Sequence, residues 1–242
     1  MATHVSCLIR FSDGSFTFLR DTIASAATLS EIQTDASGLL NITADLSCGV
    51  ANQGKTATHA LGKVQTDSVT TGAWNYGAFY DPQGTVLCPI QGGGSAVTGL
   101  PVLAKPVRMQ SGVTVKVSYQ AVADAVKMAS IAAVCASGKC DIFTATAVDD
   151  TDVSMQNASG ATWGEALAGQ TVVQAYASYP ATNGLADTGI VDGVDALFIE
   201  SASGQLLGMY APELGNQSTP SAWIRQAIRV SQNDTATCRA NV

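Results

Sequence analysis

The segment that comes nearest to a chemical motif is Gly49-Val50-Ala51-Asn52-Gln53-Gly54-Lys55-Thr56. It satisfies the Gly-x-x-x-x-Gly-Lys-Ser/Thr phosphate-loop pattern at every position. In such a loop, backbone N–H groups cradle phosphates, the lysine reaches the terminal ones, and the hydroxyl binds magnesium. That chemistry needs a buried apolar strand before the loop and a firm helix after it. Here Asn41, Thr43 and Asp45 put polar residues into the preceding stretch. Ala57-Thr58-His59-Ala60-Leu61-Gly62 contains a glycine and two weak helix formers where the helix should start. The flanks fit a glycine-containing turn, and a P-loop nucleotide-binding protein using Gly49 to Thr56 is the alternative reading from another functional class.

Asp187-Thr188-Gly189 has the letters of an aspartic-protease triplet. That reaction requires two carboxylates sharing one proton, and the triplet occurs once, so a second copy of the chain would have to supply its partner. Asp149, Asp150 and Asp152 form one acidic cluster and Asp187, Asp192 and Asp195 another; neither follows the spacing of a calcium loop. His4 and His59 lie in no nucleophile or base motif. The six cysteines, Cys7, Cys48, Cys88, Cys135, Cys140 and Cys238, include no Cys-x-x-Cys pair, which argues against zinc. Cys135 and Cys140 flank a turn-like Ala136-Ser137-Gly138-Lys139, so a disulfide across a hairpin competes with free buried thiols. Trp74, Tyr76, Phe79 and Tyr80 make the densest aromatic patch, read as core packing or as an intersubunit or glycan contact. These residues assign no catalytic group, cofactor or metal, and the chain is expected not to be an enzyme.

The elements that would have to position such groups are mostly strands. Val113, Val115, Val117 and Tyr119 alternate with Thr114, Lys116 and Ser118, which gives one apolar and one polar face. Residues 171–179 alternate similarly but are partly apolar on both faces. The runs 194–200 and 205–210 flank Ser201-Ala202-Ser203-Gly204, a hairpin signal in which Gly204 takes a positive φ. Further strands are expected at 5–11, 15–19, 39–45, 85–90, 102–109, 131–136 and 141–148. Ser12-Asp13-Gly14, Asp81-Pro82-Gln83-Gly84, Gly92-Gly93-Gly94 and Asn183-Gly184 punctuate them. Short helices are expected at 22–33, 121–128, 162–168 and 221–230, although Ile224, Ile228 and Val230 also fit a strand. This pattern predicts an all-β fold, an antiparallel β-sandwich or jelly roll with a few short helices and long loops at 149–160 and 180–193. No internal repeat is visible, and one domain is expected over 1–242 with a possible hinge near 91–99.

Composition narrows the function further. Apolar residues make up 46% of the chain, which suits a globular protein, while charged residues are only 13%, against a typical value of about 25%. The surface must therefore be built mainly from Ser, Thr, Asn, Gln, Gly and Ala, a chemistry suited to meeting other copies. Net charge is −7, and the 12 basic residues are scattered singly apart from Arg225 and Arg229. Direct nucleic-acid binding, which needs several cations on one face, is not expected. The N-terminus lacks the apolar core of a signal peptide, and no stretch reaches the ~18 apolar residues of a membrane span. Synthesis in a host cytoplasm without ordinary export is the expectation, and the four Asn-x-Ser/Thr triplets then carry no glycan.

In its unprocessed Met start, its Gly/Ala/Thr/Val-rich short strands, its long loops and its few charges, the chain resembles the jelly-roll coat proteins of viruses. The resemblance implies a capsid protein located in the virion, whose partners are copies of itself and other particle proteins and whose interfaces are multiplied by symmetry. A phage tail-tube or capsid decoration protein is the alternative within the structural class. A carbohydrate-binding module, resting on the aromatic patch, ranks after the P-loop reading.

Overall fold

The computed structural model describes residues 3–23, 39–41, 48–66, 73–92, 99–120, 128–146, 151–178, 193–210, 221–224 and 227–241. They fall into two compact units, Met1–Ala121 and Val122–Val242. The boundary suggested near 91–99 lies within unit 1, and residues 93–98 are outside the described set.

Unit 1 contains β1 (Thr3–Phe11), β2 (Phe16–Ile23), β3 (Leu39–Asn41), α1 (Cys48–Ala51), β4 (Thr56–Thr66), β5 (Ala73–Tyr80), β6 (Val86–Gly92), β7 (Val102–Arg108) and β8 (Thr114–Gln120). The strands form one sheet in the order β2-β1-β4-β6-β5-β8-β3, and β7 also pairs with β4. Every pairing is antiparallel except β4 with β6. The alternation expected in β8 is present: Val113, Val115 and Val117 are buried. They meet Cys7, Ile9 and Phe11 of β1, Ala57 and Ala60 of β4, and Phe79 of β5 in one apolar cluster.

Unit 2 contains β9 (Met128–Cys135), β10 (Cys140–Thr146), β11 (Asp152–Ser154), β12 (Gln156–Asn157), α2 (Trp163–Leu167), β13 (Thr171–Ser178), β14 (Gly193–Glu200), β15 (Leu206–Tyr210), β16 (Ser221–Ile224), β17 (Ile228–Arg229) and β18 (Thr235–Asn241). One sheet runs β12-β10-β9-β13-β16, with β17 also on β13, and a second runs β11-β18-β14-β15. Trp163, Phe143, Ile131, Leu197 and Ile199 centre its core.

The all-β expectation holds, with two helices of four and five residues among the described residues. No sheet there sets three consecutive hairpin-linked strands side by side, the mark of a Greek key. Sequential pairing is confined to β1–β2, β5–β6, β9–β10 and β14–β15. The helix expected at 162–168 forms as α2. The helix expected at 221–230 is instead β16 and β17, because β13 offers its free edge to this segment. Of 22–33, Thr22 and Ile23 end β2; of 121–128, Met128 opens β9; the remainder of both lies outside the described residues, as do 42–45, 179–192 and the Gly93-Gly94 turn.

Although no repeat is visible in the sequence, the two units are built to one plan. β1, β2, α1, β4, β5, β6, β7 and β8 correspond in order to β9, β10, α2, β13, β14, β15, the β16–β17 pair and β18. Their irregularities correspond too. β1 meets β4 with a register shift at Phe11↔Ala57 and Arg10↔His59, and β9 meets β13 with the same shift at Cys135↔Val172 and Val134↔Gln174. Thr56 pairs with Arg108 as Thr171 pairs with Arg229. Tyr80↔Val86 and Glu200↔Leu206 follow equivalent bulges.

The hairpin links are also the same device. In each, the residue before the turn donates its N–H to the carbonyl four residues on, and a glycine in the left-handed region donates back: Phe11/Gly14/Ser15, Asp81/Gly84/Thr85, Cys135/Gly138/Lys139 and Ser201/Gly204/Gln205. Gly204 has φ 78°, as the hairpin signal required.

Candidate functional site

The Gly49-to-Thr56 segment runs from a short helix into a strand. A phosphate loop runs from strand into helix. Three of the loop's N–H groups are engaged by the chain itself: Gly49 N–H donates to Val113 O (3.2 Å), Gly54 N–H to Met109 O (3.0 Å) and Lys55 N–H to Asn52 O (3.0 Å), and Met109 N–H returns a bond to Lys55 O (2.8 Å). The Lys55 ammonium lies over the Phe11 ring at 5.2 Å, donates to Ser15 Oγ at 2.9 Å and sits 3.9 Å from Asp13 Oδ2. Lys55 therefore ties β4 to the β1–β2 turn. Bonds from Ser15 to the Asp13 carboxyl, then the charge of Lys55, hold that group below its usual range.

The same segment recurs in unit 2 as Gly164-Glu165-Ala166-Leu167-Ala168-Gly169-Gln170-Thr171. Gly164 N–H donates to Asp234 O, Gly169 N–H to Val230 O, and Val230 N–H to Gln170 O, bond for bond as in unit 1. Glycine is required at the first position by packing. A Cβ on Gly49 would stand 1.9 Å from Gln110 O, and one on Gly164 would stand 2.3 Å from Gln232 O. Where unit 1 has Lys55, unit 2 has Gln170, whose Oε1 accepts from Ser137 Oγ at 2.5 Å. The motif letters thus mark a repeated helix-to-strand joint. Calorimetry with millimolar ATP or GTP and magnesium is expected to show no binding, with or without Lys55→Ala. Micromolar binding abolished by that substitution would overturn this account.

The other sequence candidates are not brought together. Asp187, Thr188, Gly189 and Asp192 are outside the described residues, as are Asp149 and Asp150. Asp152 accepts two hydrogen bonds from the Arg239 guanidinium, at 2.6 and 2.5 Å, which clip β11 to β18 and lower its carboxyl pKa. Among the described residues no group of His, Cys, Asp and Glu could hold a metal. Cys7, Cys88, Cys135, Cys140 and Cys238 are buried and form no disulfide among the described residues. Cys140 pairs with Val134, so Cys135 and Cys140 belong to opposite faces of their hairpin. Burial pushes the thiols of Cys88 and Cys135 up, away from the reactive thiolate. The aromatic patch is β5: Tyr76, Phe79 and Tyr80 are buried, and Lys116 stands 4.8 Å over the Tyr80 ring. A surface depression of about 390 Å³ is lined by Asp81, Lys105, Arg108 and Gln110, but the Asp81 carboxylate already caps its own turn through the N–H groups of Gln83 and Thr85.

What sequence reasoning missed is an apolar sheet face. Phe16 and Phe18 of β2 are 58% and 60% exposed, and Val102 of β7 is 69% exposed. Register places them in two rows across one side of unit 1: Phe18, Leu8 and Leu61, then Phe16, Arg10, His59 and Val102. The opposite side of β1, with Cys7, Ile9 and Phe11, forms the core. The alternation Phe16-Thr17-Phe18-Leu19 carried the signal, since it leaves apolar residues for two sides of the strand.

Compared with protein-family models, curated proteins and solved structures, the chain matches none. No helix of the described residues is long and apolar enough to cross a membrane.

Proposed function

We propose that the chain is a structural subunit of a virus particle, a coat protein that assembles with copies of itself into a shell, each unit serving as a small, mainly antiparallel β-sandwich. The observation that carries this reading is the broad apolar sheet face of unit 1 on a chain with only 13% charged residues. Large exposed apolar patches mark interaction sites, and little electrostatic repulsion opposes contact between such surfaces.

Electron microscopy of the concentrated full chain is expected to show closed or repeating assemblies, and dispersed monomers would defeat the proposal. Light scattering supplies a second outcome. Apolar burial is not screened by salt, so association is expected to weaken little between about 0.05 and 1 M. An assembly that dissolves as salt rises would show that ion pairs hold it instead.

A further inference from the structure

The twin unit is an internal standard for the apolar face of unit 1. Phe16, Phe18, Leu8 and Arg10 correspond to Cys140, Ile142, Ala132 and Val134, because Arg10↔Phe16 and Leu8↔Phe18 stand where Val134↔Cys140 and Ala132↔Ile142 stand. All four counterparts are buried, at 4–6% exposure, and none belongs to the core cluster of unit 2. β10 is moreover paired along its outer edge by β12, whereas β2 has no such neighbour among the described residues.

We infer that the Phe16/Phe18 face of unit 1 docks onto another surface of a second copy of this chain, in a head-to-tail contact. This rests on the structural-subunit reading and names its partner. Two quantities point to a second copy. The first is area. Phe16, Phe18, Val102, Leu8 and Leu61 together offer roughly 300–400 Å² of apolar surface, which suits the centre of an interface burying about 800 Å² per partner once a neutral rim is added. The second is charge. The exposed charged side chains described on this face are Arg10, Lys63 and, on the same side of β7 as Val102, Arg108, all cationic, while the whole chain carries −7. Two such faces meeting each other would oppose like charges. Because the face is cationic and the whole chain is net acidic, a different surface of the next copy meets it with less repulsion, and any opposite charges at the rim orient the encounter more than they strengthen it. A heterologous contact of this kind continues from copy to copy into rings, shells or filaments.

The test is analytical ultracentrifugation of the full chain across a concentration series. The probes are wild type, Phe16→Thr/Phe18→Thr, Arg10→Glu, and Gln83→Lys as a control on an exposed turn. Threonine keeps the strand preference of β2, and unchanged circular dichroism establishes that each variant folds. Wild type is expected to grow beyond the dimer with concentration. The double threonine variant should associate at least tenfold more weakly, Arg10→Glu several-fold more weakly, and Gln83→Lys like wild type. Assembly unaffected by the double variant would overturn this inference and leave the subunit reading standing. A wild type that stays monomeric would overturn both. Growth that stops at a dimer would overturn the head-to-tail geometry. Monomers that pellet with anionic phospholipid vesicles, and lose that with the double variant, would assign the face to a membrane instead.

Discussion

Replacing Gly49 with alanine is expected to destabilise unit 1 by about 3 kcal/mol or more, a size reserved for backbone clashes and comparable core damage. Local preference predicts the opposite sign. Gly49 lies in α1 and outside the left-handed φ range, where alanine is normally favoured by roughly 0.5–1 kcal/mol. The added methyl, however, would sit 1.9 Å from Gln110 O and 3.0 Å from Val113 N, so the 110–113 turn would have to move by more than an ångström. That movement would also break the bond from Gly49 N–H to Val113 O. Gly164→Ala should behave the same way in unit 2, against Gln232 O and Asp234 O at 2.3 and 2.6 Å. Gly54→Ala provides the scale: its φ is +84° with nothing within 4 Å of the new atom, so it should cost only the left-handed backbone penalty of about 1–2 kcal/mol. Urea titration checks all three, with the Gly49 variant shifting the midpoint of unit 1 by about 1–3 M for a slope of 1–3 kcal/mol/M. A neutral Gly49→Ala would mean that the joint is loose.

Much of the fold was legible because strands here obey simple alternation and turns carry their glycines. Val113, Val115 and Val117 at β8 are buried as spaced, and the glycine links after β1, β5, β9 and β14 close where the letters place them. β4 was obscured by the phosphate-loop letters, because Ala57 to Gly62 was weighed only as a poor helix and not as a strand. In the fold those residues are a strand because β1 pairs with them along nearly their whole length. β5 was hidden by its aromatic side chains, which read as a patch before they read as a strand. The helix expected at 221–230 failed because periodicity over so short a run cannot register the sheet edge that captured it.

The doubling of the chain was not legible for a different reason. Counterparts keep residue identity mainly where backbone geometry demands it, as in Gly49/Gly164, Gly54/Gly169 and Gly84/Gly204. The cores are refilled with other apolar residues: Phe11 becomes Cys135, Phe79 becomes Ile199, and Val115 becomes Ala236. Loops of unequal length then shift the spacing from element to element, so no fixed period survives. The exposed face was missed because exposure is a property of the sheet and its neighbours, and Phe16 and Phe18 look like core residues in a strand read alone.

Trp163→Ala is the second large effect expected, about 3–5 kcal/mol, because a fully buried aromatic leaves a cavity that a β core closes poorly. Trp163 sits in the unit 2 cluster with its ring centroid 5.1 Å from that of Phe143, tilted by 50°. It is held there by α2, whose first turn is fixed by the Glu165 carboxylate accepting from Thr162 N–H and Oγ1 at 2.8 and 2.9 Å. One feature works against the tryptophan: its Nε1–H is buried and finds no acceptor among the described residues. An unmet buried donor costs about 1–3 kcal/mol. Trp163→Phe removes that donor together with part of the ring, so its two consequences oppose each other. The net loss is expected to be under about 2 kcal/mol, clearly smaller than for alanine, with the Phe143 ring contact retained. Thermal or urea melts of the two variants, followed by circular dichroism, decide the matter. A phenylalanine variant as unstable as the alanine one would show that Nε1–H is satisfied and that the indole is held by its polar edge as well as by its packing.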